Sequence, residues 1–586
     1  MPQGQATEGS TSTGLAVSLG QHSDPGRKPR NQDFHGACIP PEPQLGSKGI
    51  AVALADGISS SEVSHIASET AVRALLEDYY CTSDAWSVKR SVQRVLLATN
   101  SWLHAQTERN PRCYDSDRGY VCTLTAVILK AATLHLFHIG DARLYQVHQE
   151  RLEQLTEDHR VRVSADTSYL GRALGAQPRV EIDYRSLDLT PGDIFLLATD
   201  GVYEHAGEQF MAQTVHAHAG DLDVAARVIV ETALRQGSGD NLTVQILRVE
   251  RVAQAEPEAA RRQATALPLP PELEPGAVLD GYEIVRPLHI GPRSHVHLAL
   301  EPGSGAPVAL KTPASELRDD PAALERFMTE EWIARRLTSP HVLRARPRQR
   351  AASSLYVVTE YVEGESLRQW MADHPRAGLD AVRNLVEQVG RGLRAFHRQE
   401  MVHQDLRPDN VLVDRTGTAR LIDFGAVRVA GLAEGSAAPA AHPLLGTAQY
   451  AAPEYFLGLQ GDARADVYSL AVITYQMLAG QLPYGTAVAA ARTPASQRRL
   501  KYRSLLELRR DLPPWLNAVL RKALHPDPDK RHQDVDEFLH DLRHPRREFL
   551  GERPPPLIER DPVRFWQAVS ALLALALLAT ATAAWA

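Results

Sequence analysis

The chain has 586 residues, too many for one hydrophobic core, so two or more domains are expected. A formal net charge of -7 gives no general attraction for nucleic acid, and no such partner is expected. Cys38, Cys81, Cys113 and Cys122 form no C-x-x-C pair and the polar stretch Met1 to Thr13 has no apolar signal core, so neither a disulfide framework nor export is expected.

The first 250 residues carry acidic motifs at the ends of apolar runs. Asn31-Gln32-Asp33 follows the basic cluster Arg27, Lys28 and Arg30. Ile50 to Ala55 runs into Asp56-Gly57, Leu134 to Ile139 into Gly140-Asp141, and Ile194 to Ala198 into Thr199-Asp200-Gly201. Asp240-Asn241 precedes the strand-like run Leu242 to Val249. Strands that end this way deliver a carboxylate where the backbone turns sharply. One Asp-Gly alone is more often a hairpin turn. Several such carboxylates together make a hard-oxygen site for divalent metals. Apolar spacing predicts helices over Ser60 to Tyr80, Trp86 to Arg109 and Asp221 to Gln236.

The ordered set resembles the metal-dependent (PPM-type) protein serine/threonine phosphatase family over residues 14–250. That resemblance implies an α+β fold, an antiparallel β-sandwich flanked by helices, with two divalent metals, Mg2+ or Mn2+. It implies that Asp56 bridges the metals, that the Gly57 carbonyl, Asp200 and Asp240 complete the shell, and that Asp33 holds a water. Asp141 with Asp200 is implied as a weaker third site, and Lys28 as the phosphate-binding group. Two positions depart from the family: Gln32 stands where glutamate is usual, and Lys28 where arginine is usual. Lysine brings a point charge without the bidentate fork. A phosphatase-like domain that only senses or scaffolds is the alternative.

Residues 251–279 are rich in proline, with Pro257, Pro268, Pro270, Pro271 and Pro275, and read as a semi-stiff solvated linker. Beyond it, Tyr282 to Leu300 reads as two strands around a loop holding Gly291 and Val296, with His289 and Ser294 where glycines would let a backbone approach phosphates. Val308-Ala309-Leu310-Lys311 is a strand ending in lysine. Leu324 to Leu337 has helical spacing, with Glu330 placed to pair Lys311 and Glu331 the next candidate. Then come Thr359, Glu360 and Val362; His403-Gln404-Asp405-Leu406-Arg407-Pro408-Asp409-Asn410; Asp423-Phe424-Gly425; and Ala452-Pro453-Glu454.

These motifs resemble the eukaryotic-like serine/threonine protein kinases over residues 280–545, a two-lobed α+β fold. The resemblance implies that ATP and Mg2+ are used. It makes Lys311 the residue on the α- and β-phosphates, Glu330 its partner, and Gly291, Val296, Glu360 and Val362 the nucleotide pocket. Asp405 becomes the general base, Asn410 and Asp423 the metal holders, and Arg407 the γ-phosphate contact. Arg531 is expected to pair with Glu454. Gln404 replaces the usual arginine, so no guanidinium stands there to pair a phosphorylated Ser436, the one hydroxyl residue between Gly425 and Gly446.

A second proline-rich linker, 551–562, leads to Phe565 to Ala586, which has no charged residue. Twenty-two helical residues reach roughly 33 Å, enough for a hydrocarbon core of about 30 Å. One C-terminal transmembrane helix is therefore expected, with Arg560 and Arg564 before it, Trp566 and Trp585 near its ends, and the catalytic domains on the cytoplasmic face of a bacterial plasma membrane. The expected function is a bifunctional kinase and phosphatase acting on protein serine and threonine, its own residues among the expected partners. The alternative is a membrane-anchored regulatory scaffold whose kinase part binds nucleotide without catalysis.

Overall fold

A computed structural model describes residues 14–109, 119–149, 151–162, 168–252, 267–432, 448–550 and 563–573. They fall into two compact units, one drawn from Met1–Arg336, Arg344–Tyr361 and Val429–Gly435, the other from Leu337–Leu343, Val362–Arg428 and Ser436–Ala586.

The first unit opens with a β-sandwich. One antiparallel sheet has the order β1-β12-β11-β6-β7: Ala16–Asp24, Leu242–Arg251, Ile194–Ala198, Arg143–His148 and Arg151–Gln154. The other has the order β10-β5-β4-β3-β2: Asp183–Asp188, Thr133–Ile139, Leu124–Lys130, Ile50–Ala55 and Phe34–Cys38. Between them lie Ile50, Val52, Leu54, Val127, Leu136, Leu144, Phe195, Leu197 and Leu247. Every residue of β3 is buried, because helices cover the other face of its sheet. This explains why Ile50 to Ala55 reads as an unbroken apolar run. Those helices are α1, Ser64–Cys81, and α2, Val88–Arg109. On the opposite sheet lies α3, Leu222–Arg235, whose start is capped by the Asp221 carboxylate accepting from the Val224 N–H.

The same unit holds a five-stranded antiparallel sheet, β13-β14-β15-β16-β17: Val278–Leu279, Tyr282–Ile290, Ser294–Leu300, Pro307–Pro313 and Val357–Glu360. Helix α4, Pro321–Arg336, follows β16. The expected solvated linker through residue 279 is shorter than the sequence suggests. From Pro268 the chain packs on this lobe: the Pro268 carbonyl accepts from Leu355 N–H at 2.8 Å, and Leu273 is buried beside Tyr282 and Tyr356. The apolar side chains among its prolines give it something to bury.

The second unit is largely helical, around α5, Leu379–His397, and α6, Ala463–Ala479. Arg531 and Glu454 form the expected buried pair, with two bonds of 2.8 and 2.7 Å. Residues 563–573 are helical. Among the described residues no helix is long and apolar enough to cross a membrane. Cys113, Ser436, Gly446, the 551–562 linker and residues 574–586 of the expected membrane helix lie outside the described residues.

Candidate active sites

The sandwich delivers its carboxylates where strands end. Asp56 follows β3, Asp200 follows β11, Asp240 precedes β12, Asp33 precedes β2, and Asp141 sits between β5 and β6. They are close enough to disturb one another. Burial, then the charges of Asp33, Asp200, Asp141 and Asp240, push the Asp56 carboxyl well above its usual range. Burial raises Asp200 to about 7, with Asp141 and Asp240 adding to it. Burial likewise raises Asp33 to about 6, although Thr243 and Thr199 hydroxyls donate to its Oδ2 at 2.7 and 3.0 Å. Gly57 has no room for a side chain: a Cβ there would lie 2.9 Å from the Gln32 carbonyl and from Ser64.

Crowded anionic oxygens held apart from water are a donor set for a hard divalent cation such as Mg2+ or Mn2+. Asp33 Oδ1, buried and with no hydrogen-bond partner, fits that role. Among the described residues no group of three or more acidic, histidine or cysteine side chains stands in ready metal-ligating geometry. Two cations of the chain lie among the carboxylates instead. Lys28 pairs with Asp240 and donates to Ser59 Oγ at 2.6 Å. Arg160 donates to Asp141 at 2.7 Å, to Asp200 at 2.8 Å and to Glu204 at 2.8 Å. The Asp141–Asp200 pair, expected as a weaker third metal site, is thus bridged by a guanidinium. Nothing in the sequence around Arg160 signals this, because its partners are 19, 40 and 44 positions away.

Gln32 has a specific use. Its side-chain amide donates to the Ser61 carbonyl and to Ser64 Oγ, both at 2.7 Å. A glutamate could not donate to that carbonyl, so here the amide ties the loop after Gly57 to the start of α1.

The kinase-like residues are held in two groups, one in each unit. In the first unit, Lys311 Nζ meets Glu330 Oε1 at 2.5 Å. Val296 is the cross-strand neighbour of Lys311. The loop at Gly291 is closed by its own N–H donating to the Ser294 carbonyl at 3.1 Å. Glu360 N–H donates to the Arg344 carbonyl, and the Glu360 carboxylate accepts from Arg344 N–H. Glu331, the alternative partner for Lys311, instead pairs with Arg335 and Arg348 at 2.8 and 2.6 Å.

In the second unit, Asn410 Nδ2 donates to the Asp405 carbonyl at 2.8 Å and to Asp405 Oδ2 at 3.2 Å. Asp423 Oδ1 accepts from Gly425 N–H at 3.2 Å. The loop is fixed from behind. Asp466, buried on α6, accepts from the backbone N–H groups of His403 and Gln404 at 2.8 and 3.0 Å and from the His397 ring. Gln404 adopts φ +65°, which few side-chain-bearing residues take up. The His403 ring, fully buried, packs against Phe396 and Phe424. Arg407 is turned onto Asp409, which also binds Arg368. Val362 opens the stretch Val362–Arg428 of the second unit.

Comparison with known proteins gives two domain assignments. A protein phosphatase 2C family model matches residues 23–235, and a protein kinase domain model matches residues 282–542. The serine/threonine-protein kinase PknA of Corynebacterium glutamicum is 31% identical over 276 residues, which are 45% of this chain and 55% of that protein. The chain spans about half or less of the curated relatives it matches first. Among solved structures, the Mycobacterium tuberculosis PknI kinase domain is 28% identical, covering 47% of this chain and 100% of that one at a TM-score of 0.36. The catalytic domain of the phosphatase PstP in complex with two manganese ions is 26% identical, covering 40% and 99% at a TM-score of 0.33. The two family models thus place a segment matching protein phosphatase 2C before one matching the protein kinase domain, and the second is similar to bacterial serine/threonine-protein kinases.

Proposed function

We propose that this chain is a bifunctional enzyme that phosphorylates serine and threonine of proteins with ATP and also removes phosphate from phosphoserine and phosphothreonine. The Lys311–Glu330 pair at 2.5 Å carries the reading, since such a pair is what a kinase needs to hold the nucleotide phosphates. In transfer, Asp405 takes the proton of the attacking hydroxyl as its oxygen bonds to the γ-phosphorus and ADP leaves. Asn410 and Asp423 would hold Mg2+ on the phosphates, and Arg407 would have to leave Asp409 to reach the γ-phosphate. In hydrolysis, a water oxygen bonds to phosphorus and the serine or threonine oxygen departs as an alcohol. Asp33, Asp56, Asp200, Asp240 and the Gly57 carbonyl would hold two divalent cations, with Lys28 at the phosphate. Bound Mg2+ or Mn2+ would supply Lewis acidity and neutralise phosphate charge at both centres.

The scaffold reading is favoured by one feature, the loop with His289 and Ser294 in place of glycines. One experiment separates the two. Purified full-length chain with ATP and Mg2+ is expected to label a serine/threonine protein, and with Mn2+ to release phosphate from a phosphothreonine peptide. ATP binding without transfer would support the scaffold.

The uncharged run Phe565 to Ala586 supports a further part of this proposal: the tail anchors the protein in the plasma membrane, with both domains cytoplasmic. Deleting residues 565–586 is expected to move the protein from the membrane fraction to the supernatant without loss of activity. Full-length protein found in the supernatant would overturn the anchor.

A further inference from the structure

Kinase helix α4 has two charged faces, and neighbouring residues serve them. Glu330 points to Lys311, while Glu331 is fully buried on the other side, where helices α1 and α2 of the phosphatase domain pack. The contact holds a chain of ion pairs. Glu331 meets Arg348 at 2.6 Å, Arg348 meets Asp84 of the phosphatase domain at 2.9 Å, and Asp84 meets Lys48 at 3.7 Å. Burial would raise the Asp84 carboxyl, but Lys48 and Arg348 outweigh it and hold it below its usual range. One turn along α4, Arg336 meets Asp78 of α1 at 2.7 Å. At the other end of α4, Glu325 binds both Arg90, at 2.5 Å, and Arg94 of α2. Between these pairs Trp86 and Trp332 are buried with ring centres 6.4 Å apart.

A second contact touches the segment after Asp423-Phe424-Gly425. Gly431, at φ +82°, lies against α2 so closely that a Cβ there would fall 2.6 Å from the Leu97 carbonyl and 2.3 Å from Ser101 Oγ. The surface therefore grips two elements whose position decides whether a kinase is competent: the helix bearing the glutamate and the start of the activation segment. Buried ion pairs add little net stability but make a misaligned docking expensive, because each displaced partner leaves an uncompensated charge. They specify one placement of α4.

We propose that this face of α4 is the docking surface for the chain's own phosphatase domain, which braces the kinase with Glu330 on Lys311. The inference rests on the kinase reading above. It also offers an alternative to activation-loop phosphorylation in a kinase with Gln404 where a phosphate-pairing arginine would stand.

The test is a charge reversal and its rescue in the full-length chain. Glu325 is chosen because both of its partners, the half-exposed Arg90 and the more covered Arg94, lie on α2, so the pair can be reversed as a unit. Glu325→Arg is expected to lower kinase kcat/KM roughly tenfold, within the usual range of coupling between sites. Amide exchange over residues 321–336 should quicken, and phosphatase turnover should stay at the wild-type level as a check on folding. Adding Arg90→Glu and Arg94→Glu to Glu325→Arg should restore both kinase activity and slow exchange. Trp86→Ala, a change made wholly in the phosphatase domain, should reproduce the kinase loss. Faster exchange with unchanged kinase activity, or a loss the triple variant does not rescue, would overturn the brace. Wild-type protein that binds ATP without transfer would instead sink the kinase reading, leaving exchange over 321–336 to report on docking alone.

Discussion

Asp405→Asn is expected to cut phosphate transfer by about 10²–10⁴-fold, the usual contribution of a general base, while nucleotide still binds. The substitution is nearly isosteric, and the loop that presents residue 405 is fixed by other groups. Asp466 holds the His403 and Gln404 N–H groups, and the buried His403 ring packs on Phe424. Asn410 donates mainly to the backbone carbonyl of residue 405, at 2.8 Å, and that bond survives. Its weaker bond to Oδ2, at 3.2 Å, can pass to the new amide oxygen. What is lost is an oxygen able to take a proton. Transfer to a serine/threonine protein, read beside the affinity for a fluorescent ATP analogue, checks both halves. Transfer near the wild-type rate would remove Asp405 from the base role, and lost nucleotide binding would show that the substitution damages the fold.

The candidate site residues stood out in the sequence because each sits at the end of a short apolar strand or in a turn with fixed spacing. Asp56 after Ile50–Ala55 and Asp200 after Ile194–Ala198 are placed by the strand alone. Asp405, Asn410 and Asp423 lie within 19 residues of one another, so local order carries them. Lys311 and Glu330 are 19 apart, and the resemblance to kinases, not the helical spacing, favoured Glu330 over Glu331. What could not be read was how charges meet across domains. Asp84 and Arg348 are 264 positions apart, and neither belongs to a motif. Glu331 appeared as a spare candidate for Lys311 because sequence shows a residue's spacing but not which neighbour covers its face. The linker was misjudged for a related reason. Prolines mark an extended chain, but they do not say whether the leucines among them find a surface, as Leu273 does. Arg160 bridges Asp141, Asp200 and Glu204 through folding alone, and no local pattern announces it.

Asp56→Asn is expected to reduce phosphatase turnover by on the order of 100-fold or more, since lesser changes around metal ligands already cost 10–100-fold in affinity or activity. Burial, and then Asp33, Asp200, Asp141 and Asp240, all push the Asp56 carboxyl up. Removing its charge takes away the group proposed above to lie between the two cations. In chelator-treated protein the same crowding has a pH signature. Asp33 and Asp200 titrate at about 6 and about 7 in the fold, against a usual 3.8. The folded form therefore binds more protons than the unfolded chain in that window, and stability falls as pH rises from about 4 through 7. Asp56→Asn should flatten that fall by removing a further carboxyl that burial and its neighbours hold well above the usual range. The larger effect is on the chain's own phosphorylation. On the proposed function, a kinase and a phosphatase tethered in one chain would meet the same phosphate at effective concentrations on the order of millimolar, so phosphate added by one would be removed by the other. With ATP and Mg2+ or Mn2+, wild type is expected to carry little serine or threonine phosphate at steady state, and Asp56→Asn to accumulate it. Asp405→Asn sets the background. Intact-mass measurement over a dilution series reads the result: accumulation on Asp56→Asn independent of protein concentration places phosphorylation within one chain, and wild-type phosphate equally low at every dilution places its removal there too. Equal phosphate on wild type and Asp56→Asn, with wild type still active on a phosphothreonine peptide, would show that the phosphatase does not act on what its own kinase makes.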